Sequence, residues 1–375
     1  MRIALVLDES FDPTDGIQQY MRAVGGWLTT QGHSVYYLVG ETKKQNEHGV
    51  YSLSRNVRVK FNGNWLSVPL PVRSKKLREL LSTLKIDVLH VQTPYSPFMG
   101  GRLIRAAHDM TAVVGTFHVL PYSRLAKIGS NLLGKINTNT AKRFDAMMAV
   151  SEPAQEFAGS HFGFTSVVVP NAFDYSTFAE APKKVVTKKK RIVFLGRLVK
   201  RKGALSLLKA VHELHANGNL PTDWEVLIGG KGQYRNELET FVAQHKLKNI
   251  VRFEGFIEEA AKPAFLATAD IAVFPSTSGE SFGISLLEAM AASRGVVLAG
   301  DNPGYRSVME PFKSQLIDPL QTNLFASLLQ DWMRSAARRT KAAQAQQAYV
   351  QRYAIDIVGK EIERVYKKAL RSRRT

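Results

Sequence analysis

Short runs of consecutive apolar residues alternate along this chain with stretches whose apolar positions recur every three or four residues. Ile3 to Leu7 is followed by a helical pattern from about Gly16 to Gln31 and then by Ser34 to Val39. Lys85-Ile-Asp-Val-Leu-His-Val, Ala112-Val-Val-Gly-Thr-Phe-His, Ala146-Met-Met-Ala-Val and Ser166-Val-Val-Val-Pro continue the series. Strands that are apolar throughout, rather than at every second position, are buried on both faces, so the pattern predicts a parallel sheet covered by helices.

The rhythm stops between about Phe173 and Lys190, where Lys183-Lys-Val-Val-Thr-Lys-Lys-Lys-Arg is mostly charge, and restarts with Ile192-Val-Phe-Leu. A helix from about Ala204 to His215, then Glu225-Val-Leu-Ile, Val251-Arg-Phe-Glu, Ile271-Ala-Val-Phe-Pro and Gly295-Val-Val-Leu-Ala, make a second parallel sheet. The expected organisation is an α/β chain with one Rossmann-like domain over 1–173, a linker over 174–190 and a second Rossmann-like domain over 191–354. The amphipathic, basic stretch from about 355 to 375 is expected to pack back on the first domain. Ligands of such sheets bind beyond the carboxyl ends of the strands, so two halves are expected to offer their loops to a cleft between them.

Composition narrows the candidates. The 375 residues suit two domains, and 45% hydrophobic with 22% charged residues is ordinary globular usage. Lys and Arg exceed Asp and Glu, 51 to 32, for a net charge of +19, which favours phosphates, nucleic acid or an anionic membrane surface as partners. The chain has no Cys, which excludes disulfides, thiolate metal sites and cysteine nucleophiles. No apolar stretch approaches the roughly 20 residues of a spanning helix, and Asp8 interrupts the first run too early for a signal-peptide core.

The most informative segment is Phe274-Pro-Ser-Thr-Ser-Gly-Glu-Ser-Phe-Gly-Ile-Ser-Leu-Leu-Glu-Ala-Met-Ala. A strand ends, a small-residue loop follows, and a helix begins near Gly283, which turns free N–H groups and a positive helix end toward a phosphate. Beside a phosphate, Glu280 and Glu288 suit hydroxyls, of a sugar and of a ribose; alternatively Glu280 complements the helix dipole and Glu288 is an exposed helical residue. In Leu195-Gly-Arg-Leu-Val-Lys-Arg-Lys-Gly, Gly196 and Gly203 bracket Arg197 and Lys202, two cations able to stabilise charge developing on a diphosphate, while Lys200 and Arg201 read as a solvated basic turn. Ile228-Gly-Gly-Lys-Gly admits close backbone approach at Gly230 and Lys231, and Phe253-Glu-Gly-Phe-Ile could line a base pocket at Ile257. Asp12-Pro-Thr-Asp-Gly-Ile-Gln joins the first strand to its helix, with Gly16 permitting close approach. His118, ending its strand, is either a structural histidine or a site residue.

Together these motifs resemble the retaining glycosyltransferases of family 4, which have the GT-B fold: Glu280 and Glu288 stand with seven residues between them in Gly-Glu-Ser-Phe-Gly-Ile-Ser-Leu-Leu-Glu, and Gly196, Arg197, Lys202 and Gly203 complete the pattern. The resemblance implies that Arg197 and Lys202 bind the donor diphosphate, Glu288 the ribose, Glu280 the donor sugar, and Gly16 the donor from the opposite domain. Gly196, Gly230, Lys231, Ile257, Ser281, Phe282, Gly283 and Ile284 line the donor, and His118 sits at the reacting sugar. The stretches Ser10-Phe-Asp, Gly16-Ile-Gln, Phe61-Asn-Gly-Asn, Asp87-Val-Leu-His-Val, Thr116-Phe-His and Pro170-Asn are most similar to the bacterial phosphatidylinositol mannosyltransferases. By that likeness Asp12, Gln18, Asn62, Asn64 and His118 meet the acceptor head group, and Arg73, Lys75, Lys76 and Arg78 meet anionic lipid. Asp15 stands where the family has a second glycine, and Glu9 where an aromatic residue is common.

The implied activity is retaining transfer of a hexose, mannose from GDP-mannose, to phosphatidylinositol by a peripheral protein on the cytoplasmic face of the membrane. The absence of an Asp-x-Asp pair and of metal-spaced ligands argues against a required metal or other cofactor. The alternative within the class is a UDP-sugar donor with another lipid or a soluble sugar acceptor. A nucleic-acid binder would also use the charge, but the basic stretches lack interleaved aromatics and no nucleic-acid partner is expected.

Overall fold

A computed structural model of the chain describes residues 1–12, 15–43, 47–61, 64–121, 129–130, 133–134, 137–181 and 189–374. The chain divides into two units, one of Met1–Phe173 with Ile355–Thr375 and one of Asp174–Ala354.

In the first unit the strands are β1 (Arg2–Ser10), β2 (Ser34–Glu41), β3 (Val50–Ser52), β4 (Asn56–Phe61), β5 (Asn64–Pro69), β6 (Val88–Val91), β7 (Ala112–Phe117), β8 (Ala146–Ala149) and β9 (Val167–Val168). Among the described residues seven of them form a sheet in the order β3-β2-β1-β6-β7-β8-β9, every pair parallel. The continuous apolar runs follow from this sandwiching. Ile3, Leu5 and Leu7 of β1 face the helix Gly16–Thr30 and the chain's last helix, Ile355–Arg374. Ala4 and Val6 face Leu77 and Leu81 of the helix Ser74–Leu84 and Leu103 of the helix Met99–Ala106. Both faces being dry, an alternating strand would bury unpaired polar side chains. At the sheet edge β9 is only two residues long and Val167 and Val168 are exposed, so the apolar run Ser166-Val-Val-Val is not the buried strand its composition predicts. The antiparallel hairpin β4–β5 is an addition that the parallel pattern does not anticipate.

The last helix belongs to this unit. The N–H of Ile355 donates to the Phe173 carbonyl at 3.0 Å, Val358, Ile362 and Tyr366 enter the core beside Met21 and Val24, and Gly359 lies against the indole of Trp27.

In the second unit β10 (Lys190–Leu195), β11 (Trp224–Gly229), β12 (Val251–Gly255), β13 (Ile271–Phe274), β14 (Val296–Gly300) and β15 (Leu316–Ile317) form a parallel sheet in the order β12-β11-β10-β13-β14-β15. Its core joins Ile192 and Phe194 of β10 to Leu207, Leu208 and Val211 of the helix Ala204–Ala216 and to Phe325 and Leu329 of the helix Thr322–Arg334. In both sheets the order reverses direction beside the first strand, and the loops leaving the carboxyl ends carry most of the motif residues.

Two glycine substitutions separate the packing of the first unit from helix propensity alone. A methyl at Gly359 would lie 2.6 Å from the Trp27 ring, whereas one at the exposed Gly26 meets nothing within 4 Å. Thermal unfolding is expected to show Gly359→Ala destabilised by about 1–3 kcal/mol and Gly26→Ala stabilised by roughly 0.5–1 kcal/mol. Shifts of the same sign would place the last helix elsewhere.

Candidate active site

In the second unit the loop after β13 is built around the carboxylate of Glu280. Its Oε1 accepts from the Arg201 guanidinium at 2.7 Å, from Lys202 Nζ at 2.9 Å and from the Ser276 hydroxyl at 2.8 Å. Both cations come from the single 3₁₀ turn Lys200–Lys202 after β10. Gly203 closes that turn at φ +75°, and a Cβ there would sit 1.9 Å from the Pro275 carbonyl oxygen. Thr277 N–H donates to the Arg201 carbonyl at 2.8 Å, so the two loops interlock through backbone as well as charge. Burial alone would raise the Glu280 pKa; Lys202 and Arg201 outweigh it and hold the carboxyl at about 2.

Glu280 is therefore an ion-paired anion rather than a helix-terminus acid, and Arg201 is not the solvated residue that its basic run suggests. Lys200 is exposed, as that reading has it. Arg197, one residue beyond Gly196, is exposed and makes no ion pair among the described residues.

The neighbouring strand ends meet at backbone distance. Gly230, at φ +136°, packs so closely on Gly196 that a Cβ would lie 1.9 Å from the Gly196 oxygen, and its N–H donates to the Gly255 carbonyl at 2.6 Å. Lys231 lies over the Phe256 ring at 4.1 Å, and the half-buried Ile257 abuts Gly229. Gly283, at φ +125°, precedes the helix Ile284–Ala292, whose start carries no side-chain cap. Phe282 is buried edge-on against Tyr353, with ring centroids 5.5 Å apart, and Ser281 adjoins it in the loop.

Glu288 lies on that helix and is 3% exposed, which corrects the exposed-helix alternative. Desolvation raises its pKa to about 7 despite Lys262, whose Nζ stands 3.7 Å away and also pairs with Glu259 at 2.8 Å. Such a carboxyl can donate to or accept from a hydroxyl near neutrality.

In the first unit His118 follows β7 and is buried. Its Nε2 lies 2.9 Å from Gln92 Oε1, and the Tyr20 ring stands edge-on at 5.0 Å. Burial lowers its pKa to about 3, a hydrogen bond with Asn171 opposing the shift. Behind it His90 meets the Tyr366 hydroxyl at 2.7 Å through Nδ1 and the Thr116 hydroxyl at 2.6 Å through Nε2. Gln18 is buried, its amide donating to the Ser10 carbonyl at 2.9 Å while its Oε1 has no partner among the described residues. Asp12 accepts from the Thr42 hydroxyl at 2.7 Å and the Lys43 N–H at 3.1 Å, tying the loop after β1 to the end of β2. Gly16 opens the first helix and Asp15 occupies its cap position without a side-chain bond. Asn64 begins β5, while Asn62 lies outside the described residues.

Gln92 and Asp8 stand in no motif that the sequence offers. Asp8, a polar residue ending an apolar run, accepts from the Gly100 N–H at 2.6 Å and from Ser96, and burial pushes its pKa up to about 6. On the helix Ser74–Leu84, Lys75, Lys76 and Arg78 are exposed, as is the preceding Arg73, while Leu77, Leu81 and Leu84 are buried. Among the described residues no group of three His, Cys, Asp or Glu could hold a metal ion, and no helix is long and apolar enough to cross a membrane.

Comparison with known proteins shows the family to which the chain belongs. Residues 14–177 match the family described as Glycosyltransferase Family 4, and residues 177–349 match Glycosyl transferases group 1. A phosphatidyl-myo-inositol mannosyltransferase of Mycolicibacterium smegmatis is 30% identical over 374 residues, covering 98% of this chain and 93% of that protein. One of Mycobacterium tuberculosis is 30% identical over 380 residues, covering 98% and 96%. Among solved structures, Anabaena HepE in complex with UDP superimposes with a TM-score of 0.76 at 17% identity, covering 97% of this chain and 99% of that one.

The two glutamates carry opposite pH signatures. Glu280, held at about 2 against an ordinary 4.5, contributes stability above pH 4.5 that is lost as pH falls toward 2. Glu288, raised from 4.5 to about 7, favours the folded state below pH 4.5, and that contribution is lost as pH rises through 7. Urea unfolding across this range is expected to show Glu280→Gln less stable at neutral pH with a flattened acid limb, and Glu288→Gln without the decline toward neutrality. Variant curves parallel to the parent curve would contradict both assignments.

Proposed function

We propose that this chain, which belongs to glycosyltransferase family 4 and has the GT-B fold, transfers mannose from GDP-mannose to phosphatidylinositol with retention at the anomeric carbon. The observation that carries the reading is the likeness, 30% over nearly the whole chain, to enzymes named phosphatidyl-myo-inositol mannosyltransferase. The chemistry of the second unit agrees with it: cations, a glycine-lined backbone and an uncapped helix start suit a diphosphate, and a buried protonatable carboxyl suits a ribose.

In this reading the second unit binds the donor. Arg197, with Lys202 and the start of the helix at Ile284, neutralises the leaving diphosphate, Glu288 holds the ribose, and Glu280 with Ser281, Phe282 and Gly283 holds the hexose. Gly196, Gly230, Lys231 and Ile257 frame the nucleotide. The first unit binds the acceptor through Asp12, Gln18, Asn62, Asn64 and His118, with Gly16 approaching the donor. The bond from C1 to the diphosphate oxygen breaks while the acceptor oxygen bonds to C1 on the same face, and the acceptor proton passes to the departing phosphate oxygen. No protein nucleophile or metal is needed for that step, because charge develops on the phosphate and the cations meet it there. The protein works peripherally at the cytoplasmic membrane face, where Arg73, Lys75, Lys76 and Arg78 meet anionic head groups.

Arg197→Ala is expected to lower kcat/KM roughly 10²–10³-fold at unchanged melting temperature. Lys202→Ala is expected to lower both, because it removes one of the two cations paired with a buried carboxylate. Calorimetry is expected to give tighter GDP than UDP binding, weakened in Arg197→Ala and Glu288→Ala. Preferred UDP binding would overturn the donor, and loss of transfer to phosphatidylinositol vesicles would overturn the acceptor.

Reversing Arg73, Lys75, Lys76 and Arg78 to Glu is expected to abolish low-salt sedimentation with anionic vesicles, since each contributes about 1 kcal/mol near such a surface. Sedimentation that survives the reversal would remove this helix from the membrane contact.

A further inference from the structure

His118 packs against the buried amide of Gln92, whose neighbours favour one orientation. Gln92 is fully buried just after β6, where its own N–H donates to the Val6 carbonyl at 3.0 Å. Its side-chain Nε2 faces the His90 carbonyl oxygen at 3.5 Å. That contact is long, but a carbonyl oxygen only accepts, and the reversed amide would set two oxygens against each other. The Gln92 amide oxygen therefore faces His118 Nε2 at 2.9 Å, and an amide oxygen also only accepts.

We propose that Gln92 is a positioning residue that fixes His118 as the neutral tautomer protonated at Nε2, leaving Nδ1 as the ring's only acceptor. The inference rests on the placement of His118 at the reacting sugar given above, and adds which tautomer the ring holds there and what sets it. The titratable groups packed around the imidazole are His90, on β6, and Tyr20, on the first helix; burial disfavours the charged form of each. With burial disfavouring the imidazolium, the amide selects between the two neutral tautomers by hydrogen bonding. A ring turned over or protonated at Nδ1 would present a donor where the parent enzyme presents an acceptor, a misalignment of the kind that costs about 10²-fold in rate.

The test is long-range proton–nitrogen NMR of the ¹⁵N-labelled full chain, with His118→Ala identifying the resonances. The parent is expected to show Nε2 protonated and Nδ1 bare, with no titration near neutrality. Gln92→Met, of similar length but without the acceptor, is expected to mix the tautomers and lower kcat with little change in donor KM. Gln92→Glu, a second variant should Met fail to fold, is expected to keep the Nε2 proton but pair the ring with a carboxylate. That pairing raises the His118 pKa and adds a titrating limb near neutrality to the kcat profile. Protonation at Nδ1 in the parent, or an unchanged tautomer and kcat in Gln92→Met, overturns the proposal. Full activity of His118→Ala would instead remove His118 from catalysis while leaving the tautomer assignment standing, so the two failures are distinguishable.

Discussion

The second unit depends on one buried carboxylate and the need to compensate it. An isolated anion cannot be taken out of water at tolerable cost, so Glu280 requires Lys202, Arg201 and Ser276 within 3 Å, and those partners must arrive from two different strand ends. The 3₁₀ turn exists where it does because it delivers both cations to one oxygen. Gly203 is a glycine because the turn then passes against Pro275. With that joint made, the loop after β13 has a single path, and the start of the helix Ile284–Ala292 is aimed by it. Arg197, exposed just before the same turn, carries no such obligation among the described residues.

The first unit solves the same problem with uncharged groups. Around His118, burial holds imidazoles and phenols in their neutral forms, and amides and hydroxyls supply the hydrogen bonds. Neutral groups attract each other over shorter distances than ions do, so geometry must carry the order that charge carries in the other unit. Tyr366 shows how far that order reaches: a residue near the end of the chain completes a contact behind β6.

What could be read in advance follows from which signals are local. Continuous apolar runs bounded by helical periods mark the parallel strands because double-sided burial imposes them at every position. The hairpin β4–β5 is signalled by Asn62-Gly63 between runs containing Val57, Val59, Leu66 and Val68, a strong turn mark in the sequence. Glu288 could have been recognised as buried, since its helix is apolar on all sides from Leu286 to Ala292. Arg201 could not: three consecutive cations look alike, and which of them turns inward is decided by the path of Pro275 to Glu280, residues some seventy-five positions away. Gln92 is the same kind of case, since an amide announces nothing until the strand beside it supplies a histidine.

The chain reaches its first unit twice, at its beginning and again from Ile355, and the two passages are joined where Ile355 meets Phe173. During synthesis, therefore, the unit that leaves the ribosome first is not the one that can be finished first. Its sheet must wait, one face lacking Val358, Ile362 and Tyr366, while the uninterrupted second unit is made and folds. The apolar face that Val358, Ile362 and Tyr366 cover stays open until the helix Ile355–Arg374 has been made.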